Sequence, residues 1–235
     1  MSDPDDSSTP VSRADDDKRL AAEAAVSEVR DDMLVGLGTG STAAHAIRAI
    51  AAAGLRIEAV ATSAASATLA RSLGIAVRDF ADVARVDLTI DGADEIDDAF
   101  RAIKGGGGAM LREKIVAAAS DRMIVVADGS KRVAAIGAAM LPVEVLPFAA
   151  TYVADRLRPL FATIASRDGG RYRTDNGGIV LDCHDAVGED WAALAASIAT
   201  IPGVLGHGLF LTEVDAAYIA SRGTVTRLER RLANG

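Results

Sequence analysis

Residues 33–42 read MLVGLGTGST, an apolar run followed by a tight glycine turn and two hydroxyl side chains. The apolar run predicts a buried strand. Ser41 and Thr42 can cap the helix that follows, which is expected to end at Gly54. A strand, a turn and a helix in this order begin a βαβ unit, and ligands of such units bind beyond the carboxyl ends of the strands.

The alternation of strands and helices continues and then changes. Over residues 17–138 it predicts an α/β domain with a mostly parallel sheet. From residue 139 to 210 the order is β-α-β-β-α-β, which is typical of a smaller ferredoxin-like α+β insert. Residues 211–235 are predicted to return to the first sheet, and residues 1–16 to form an acidic disordered tail.

The composition excludes several classes of protein. The chain has 235 residues, a formal net charge of −8 and 50% hydrophobic residues, so we expect a folded protein that binds neither nucleic acid nor membranes. Its N-terminus lacks the basic and apolar regions of a secretory signal. The single cysteine, Cys183, excludes a disulfide framework and a cysteine metal cluster. We therefore expect a cytoplasmic protein whose partner is a small molecule.

Lysine is scarce among the basic residues. Of the 25 lysines and arginines, only Lys18, Lys104, Lys114 and Lys131 are lysines. A GC-rich genome and a high-salt, halophilic cytoplasm would both favour this composition, and the sequence leaves the two open. In either case each retained lysine is informative, because a guanidinium does not replace a compact ammonium.

The loop at residues 38–42, GTGST, is suited to holding an anion, because it combines glycines, hydroxyls and a helix N-terminus. An ordinary capped turn is one alternative. A dinucleotide fingerprint is another, but it needs an acid at the end of the next strand, where this chain has Thr62 and Ser63. We favour a phosphate-sized anion.

Two later loops carry acids and glycines. Residues 91–98 read DGADEIDD, and Lys104 precedes four glycines. A solvated surface and a metal site are alternatives for the acidic loop, although its spacing does not match a calcium loop. The functional interpretation is that Asp91 and Asp94 accept hydrogen bonds from substrate hydroxyls. The N–H groups of these glycines are suited to stabilising an oxyanion. Glu113 lies in the helix predicted to follow the glycines, and by position alone it would be a surface residue.

None of the histidines, His45, His184 and His207, lies in these loops. Their absence disfavours histidine triads and zinc sites, and we expect no metal. The residues instead indicate carboxylate acid–base chemistry on a polyhydroxylated, anionic small molecule. The apolar insert predicts a homodimer or a homotetramer.

Several motifs together resemble type A ribose-5-phosphate isomerases. They are GLGTGSTAA, DGADEID, KGGGGAMLREK, ADGSK, LPVEVLP and TDNGGIVLD, in this order. The resemblance covers the chain from about residue 17 to residue 230 and implies a Rossmann-like domain with a ferredoxin-like insert. It also implies a cofactor-free aldose–ketose isomerase that interconverts D-ribose 5-phosphate and D-ribulose 5-phosphate through an enediolate, in the pentose phosphate pathway.

The resemblance implies a role for individual residues. The catalytic residues are Glu113, as the proton acceptor, with Asp91, Asp94 and Lys104. The substrate-binding residues are Lys18, Thr39, Gly40, Ser41, Thr42, Asp91, Gly92, Ala93, Asp94, Lys104, Gly105, Gly106, Gly107 and Lys131. Whether Lys18 or Lys131 holds the phosphate stays open.

Two positions depart from the family pattern, the loop at residues 62–66 and Gly108, where alanine is common.

Three alternative functions exist on similar folds. A sugar-phosphate deaminase would bring a histidine to the site, a coenzyme A transferase would use a glutamate such as Glu113 as a nucleophile, and a sugar-phosphate-sensing regulator would carry a helix-turn-helix module. Glu113 beside Asp91, Asp94 and Lys104 favours an enzyme.

Overall fold

The structure, a computed structural model, describes residues 13–188 and 190–230. Its helices are α1 (Arg13–Val26), α2 (Ser41–Ala52), α3 (Ala64–Ser72), α4 (Met110–Ala118), α5 (Ala150–Leu157) and α6 (Trp191–Ala199). Its strands are β1 (Leu34–Leu37), β2 (Glu58–Ala61), β3 (Ala76–Val77), β4 (Leu88–Asp91), β5 (Glu95–Ile96), β6 (Ala102–Ile103), β7 (Met123–Asp128), β8 (Leu141–Val145), β9 (Phe161–Ser166), β10 (Ile179–Ala186), β11 (Val204–His207), β12 (Leu209–Phe210), β13 (Ala216–Ser221) and β14 (Thr224–Glu229). No helix in these ranges is long and apolar enough to cross a membrane.

The largest sheet has the strand order β14-β13-β7-β4-β1-β2-β3. All its neighbouring strands pair in parallel except β14, which pairs antiparallel with β13 at one edge. Alternate residues of β7 enter two different apolar clusters: Ile124 and Val126 pack with α1 and α2, and Val125 packs with Phe210. A sheet covered on both faces explains why its central strands are continuously apolar. The predicted mostly parallel sheet, with a C-terminal return to it, is confirmed.

A second sheet has the order β11-β8-β10-β9 and is antiparallel throughout. With α5 and α6 it follows the predicted β-α-β-β-α-β order, and its apolar side chains form a separate cluster. This arrangement confirms the predicted class of α/β fold with an additional antiparallel unit. The domain boundaries at residues 139 and 210 stay a prediction.

Two features differ from the expectations. A three-stranded sheet, β12-β6-β5, was not predicted, because strands of two residues carry no readable periodicity. Residues 204–210, interpreted as one strand, divide into β11 and β12 at Gly208, whose N–H donates to the Pro142 carbonyl at 2.9 Å.

The first helix begins earlier than its apolar pattern indicated. Arg13 is its first residue, so residues 13–16 of the predicted tail are helical, and the rest of that tail lies outside the described residues. Asp15 and Asp16 occupy the first turn, where carboxylates stabilise the positive end of the helix dipole. Acids that resemble a disordered tail in sequence are therefore part of the helix start.

Helix α1 is tied to the large sheet by Asp17. Its buried carboxylate accepts hydrogen bonds from the backbone N–H groups of Arg222, at 3.0 Å, and Gly223, at 2.8 Å, in the turn between β13 and β14. The next residue, Lys18, extends its Nζ to the Ser41 hydroxyl at 3.2 Å. The anchoring of α1 therefore sets the position of a predicted substrate-binding lysine.

We predict that Asp17→Ala lowers the free energy of unfolding by about 1.5–3 kcal/mol, because two hydrogen bonds to a charged group are lost. Urea denaturation followed by circular dichroism measures the change. Asp16→Ala is the matched control: Asp16 is half exposed and lies 3.7 Å from Arg19, and its loss should cost less than about 1 kcal/mol. Equal effects of the two substitutions would contradict the anchoring role.

Candidate active site

A polar cavity of about 200 Å³ lies where the loops after β1, β4 and β7 meet. Its lining comprises Lys18, Thr39, Gly40, Ser41, Thr42, Gly92, Ala93, Asp94, Lys104, Gly105, Gly106, Gly107, Glu113 and Lys131. Every predicted substrate-binding residue except Asp91 is in this set, and Asp91 is fully buried beside it. The sequence loops therefore converge on one cavity, while the roles assigned to their residues stay predictions.

The ammonium of Lys104 lies between two carboxylates. Its Nζ is 2.8 Å from Asp91 Oδ2 and 3.2 Å from Glu113 Oε2, and it also donates to the Gly92 carbonyl. Asp91 is the last residue of β4, Lys104 follows β6, and Glu113 lies in the first turn of α4. None of the three side chains is more than 4% exposed. The surface position considered for Glu113 is therefore wrong.

Burial controls the proton affinity of this cluster. Burial and, to a smaller extent, the negative charge of Asp91 raise the pKa of the Glu113 carboxyl to about 8, against the opposing effect of Lys104. Burial alone would lower the pKa of the Lys104 ammonium, but Asp91 and Glu113 outweigh it and raise that pKa above its usual value. A carboxyl that titrates near neutral pH, beside a permanent ammonium, is suited to both accepting and returning a proton.

The second oxygen of Asp91 is held by backbone donors. Oδ1 accepts hydrogen bonds from the N–H of Thr39, at 3.0 Å, and of Gly92, at 2.7 Å. A Cβ at Gly38 would lie 2.0 Å from this oxygen, so only glycine allows the loop after β1 to approach it. The carboxylate therefore links the first two predicted loops.

The start of α2 forms the anion-binding part of the cavity. Gly40 is the N-cap, has a φ of 99°, and offers no side-chain cap to the helix. Ser41 and Thr42, predicted as caps, are instead the first two helical residues. The N–H groups of a first helical turn have no partner within the helix, and Lys18 and Lys131 line the same cavity. The part of the cavity at the start of α2 is therefore suited to binding an anion.

The glycine loop presents backbone donors at the other end. The Gly106 N–H donates to Asp94 Oδ2 at 2.7 Å, and the Gly108 N–H donates to the Gly105 carbonyl at 2.8 Å. Among the described residues, the N–H groups of Gly105 and Gly107 have no acceptor. We expected the N–H groups of all three cavity-lining glycines to face substrate, and the hydrogen bond to Asp94 corrects this for Gly106.

The loop after β2 supports the first loop from behind. The Thr62 hydroxyl is 2.8 Å from the Thr39 hydroxyl, and the Ser66 hydroxyl donates to the Gly38 carbonyl at 2.6 Å. Sequence reasoning left this contact open. The place of residue 62 in the sequence could have revealed this contact, because the residue directly follows a parallel strand that lies beside β1.

The alternatives for the acidic loop are not supported. Asp91, Glu95 and Asp97 are buried rather than solvated, and Asp97 accepts hydrogen bonds from the N–H groups of Ala99 and Arg101. Within residues 13–188 and 190–230, no group of three or more histidine, cysteine or acidic side chains could hold a metal ion. Asp91, Asp94 and Asp97 hold backbone N–H groups of the site loops, Glu95 accepts hydrogen bonds from the Gly137 and Ala139 N–H groups, and the exposed Asp98 pairs with Arg132.

The fold and this site define a class. A parallel sheet with an anion cradle at one helix N-terminus, and a buried carboxylate–lysine cluster beside it, is typical of enzymes that act on small phosphorylated molecules.

Comparison with known proteins narrows this class to one family. The family model for ribose 5-phosphate isomerase A (phosphoriboisomerase A) matches residues 58–224. The ribose-5-phosphate isomerase A of Sphingopyxis alaskensis is 52% identical over 221 residues, which cover 92% of this chain and 96% of that protein. The chain belongs to the ribose-5-phosphate isomerase A family.

Solved structures agree with this assignment. The crystal structure of ribose 5-phosphate isomerase A from Neisseria gonorrhoeae has a TM-score of 0.89 and 35% identity, covering 95% of this chain and all of that one. A D-ribose-5-phosphate isomerase in complex with phospho-erythronic acid has a TM-score of 0.87 and 31% identity, covering 93% of this chain and all of that one. The fold predicted from the resemblance is therefore confirmed.

We predict that the Glu113 carboxyl titrates near pH 8, because it is buried beside Asp91. Carbon-13 NMR of glutamate-labelled protein measures the midpoint, with Glu113→Gln identifying the signal. Asp91→Asn should move the midpoint to lower pH, since it removes the neighbouring negative charge. Asp98→Asn, an exposed acid of the same loop, should not. A wild-type midpoint near 4.5 would contradict the burial argument.

Proposed function

We propose that the protein interconverts D-ribose 5-phosphate and D-ribulose 5-phosphate through a cis-enediolate. The observation that carries the proposal is the buried Glu113–Lys104–Asp91 cluster at one end of a cavity whose other end is built for an anion. Family membership supports the same reaction.

Glu113 moves the carbon-bound proton. Its carboxylate takes the proton from C2 of the open-chain aldose, and the C2–H electron pair forms the C1–C2 double bond while the C1 carbonyl oxygen becomes negative. The protonated Glu113 then returns the proton to C1, and the C2 hydroxyl proton passes to the C1 oxygen, so that C2 becomes the carbonyl. Every atom and electron is accounted for without an added reactant. A pKa of about 8 for Glu113 suits both steps near neutral pH.

The developing oxygen charge is stabilised by Lys104 and by the unpaired N–H groups of Gly105 and Gly107. Donors fixed in advance at a site without water are the most effective means of stabilising such a charge. Asp94, already bound to the Gly106 N–H, orients a substrate hydroxyl. Asp91 holds the Lys104 ammonium and assists proton transfer between the two oxygens.

The phosphate lies at the N-terminus of α2, against the Ser41 and Thr42 hydroxyls, with Lys18 and Lys131 beside it. The complex of a related isomerase with phospho-erythronic acid supports a phosphorylated, anionic ligand for this family. That ligand carries both a phosphate and a carboxylate, and a carboxylate presents two oxygens with shared negative charge, as an enediolate does.

The compartment and the assembly belong to the same proposal. A single buried cysteine is consistent with the reducing cytoplasm. Leu146, Phe148 and Tyr152 are exposed apolar side chains around the start of α5 and support a homodimer or homotetramer. Light scattering of the purified protein tests the assembly.

An isomerase assay with ribose 5-phosphate in EDTA, at low and at molar salt, tests the function. Wild-type protein should form ribulose 5-phosphate under at least one salt condition, because no step needs a metal or a cofactor. Glu113→Gln should reduce kcat by several orders of magnitude with little change in KM. No conversion by wild-type protein at any salt concentration would refute the proposal, and loss restored by one divalent ion would refute the metal-free chemistry.

The substitution Lys104→Arg tests whether this position needs only a positive charge or also the compact shape of an ammonium. We predict that it lowers kcat by about 10²–10³-fold, because a planar guanidinium cannot replace the buried ammonium between Asp91 and Glu113. Steady-state kinetics measures the effect, with Lys131→Arg as the control that should mainly change KM. A near-normal kcat with altered KM for Lys104→Arg would instead place this lysine on the phosphate.

A further inference from the structure

Side chains from outside the glycine loop hold its three successive carbonyls. Nη1 of Arg167 donates to the Gly105 carbonyl at 3.2 Å and to the Gly106 carbonyl at 3.1 Å. The Tyr172 hydroxyl donates to the Gly107 carbonyl at 3.0 Å. Glycines have little conformational restraint of their own, so these contacts fix a loop that would otherwise be mobile.

Arg167 is itself rigidly held. Its Nε and Nη2 form a two-point contact with the Asp182 carboxylate on β10, at 3.0 and 2.5 Å, and both side chains are only 13% exposed. This two-point contact leaves Nη1 to donate to the carbonyls of the glycine loop. The Tyr172 ring lies 5.4 Å from the guanidinium, so that the two donors also support each other.

Tyr172 explains the departure at Gly108. The residue has a φ of 79°, and a Cβ there would lie 2.0 Å from the Tyr172 hydroxyl. The tyrosine therefore occupies the space that an alanine methyl would need. In this chain the fourth glycine and the tyrosine hydroxyl are a matched pair.

Because the peptide bond is planar, the contacts to the carbonyls also determine where the N–H groups of the loop point. In a trans peptide the N–H of one residue points opposite to the carbonyl of the residue before it. The Gly105 carbonyl points to Arg167, and the Gly106 N–H accordingly donates to Asp94 on the other side. By the same geometry, holding the Gly106 carbonyl turns the Gly107 N–H away from Arg167. That N–H has no acceptor among the described residues, and Gly107 lines the cavity with Lys104 and Glu113.

We propose that Arg167 is a positioning residue of the isomerase reaction, which aims the Gly107 N–H at the oxyanion of the enediolate by holding the Gly106 carbonyl, with Tyr172 holding the next carbonyl. This role rests on the proposed function. It assigns a catalytic purpose to the antiparallel sheet, which otherwise lies outside the chemistry.

The test uses a variant that leaves no unpaired charge, Arg167→Gln combined with Asp182→Asn. It should lower kcat by about 10–100-fold, as expected for a displaced catalytic donor, with KM within about twofold of wild type. Hydrogen exchange of the Gly106 and Gly108 amides should accelerate, since the loop loses its fixed shape. Arg171→Gln is the control, because Arg171 is an exposed arginine of the same segment paired with Asp168, and it should change none of these values.

Tyr172→Phe is the second variant, because it keeps the ring and removes only the hydroxyl. It should lower kcat by a smaller factor than the double variant and leave the thermal unfolding temperature nearly unchanged. An active wild type whose folded variants retain wild-type kcat would refute the positioning role alone, even if amide exchange accelerates. A wild type without isomerase activity would refute the proposed function and this role with it.

Discussion

The site depends on one buried ammonium. Lys104 lies between the carboxylates of Asp91 and Glu113, and none of the three groups has appreciable contact with solvent. One positive charge cannot neutralise two negative ones, so burial favours a proton on one carboxyl, and the raised pKa of Glu113 makes it the carboxyl that can gain or lose this proton. Removing the lysine would leave buried carboxylates without a counter-charge, which is strongly unfavourable. The ammonium therefore holds the cluster together, while burial and the second carboxylate, Asp91, give Glu113 its raised proton affinity.

The members of this cluster come from different parts of the fold. Asp91 ends the central strand β4, whereas Lys104 follows the short strand β6 and its backbone N–H donates to the Gly208 carbonyl at 2.9 Å. Glu113 is fixed by the first turn of α4, which the glycine loop joins to Lys104. The distances of about 3 Å within the cluster thus require that the parallel sheet, the three-stranded sheet and the glycine loop all form. The positions of the catalytic groups are a property of the complete fold rather than of one motif.

The sequence predicted what is encoded locally. The alternation of strands and helices, the antiparallel unit and the loops that line the cavity follow from periodicity and from glycine, hydroxyl and acidic residues at strand ends. The burial of Glu113 did not follow, because its neighbours Arg112 and Lys114 in the chain are charged and only tertiary packing shows which face of α4 is enclosed. The contacts of Arg167 could not be predicted from the sequence either. Its partners at residues 105 and 106 are backbone carbonyls some 60 residues away in the chain, and a side-chain pattern does not show where a carbonyl will point.

The four lysines of the chain all lie in or beside the site. Lys18, Lys104 and Lys131 line the cavity, and the Nζ of Lys114 lies 3.9 Å from the Phe210 ring centre and 3.2 Å from Glu213. The Nζ of Lys104 is 5.4 Å from the same ring, so two ammonium groups share one aromatic side chain beside the site. A guanidinium is wider and forms planar two-point contacts, as Arg167 does with the two oxygens of Asp182. At position 104 the ammonium is enclosed between two carboxylates, where a compact point charge fits and a planar guanidinium would not.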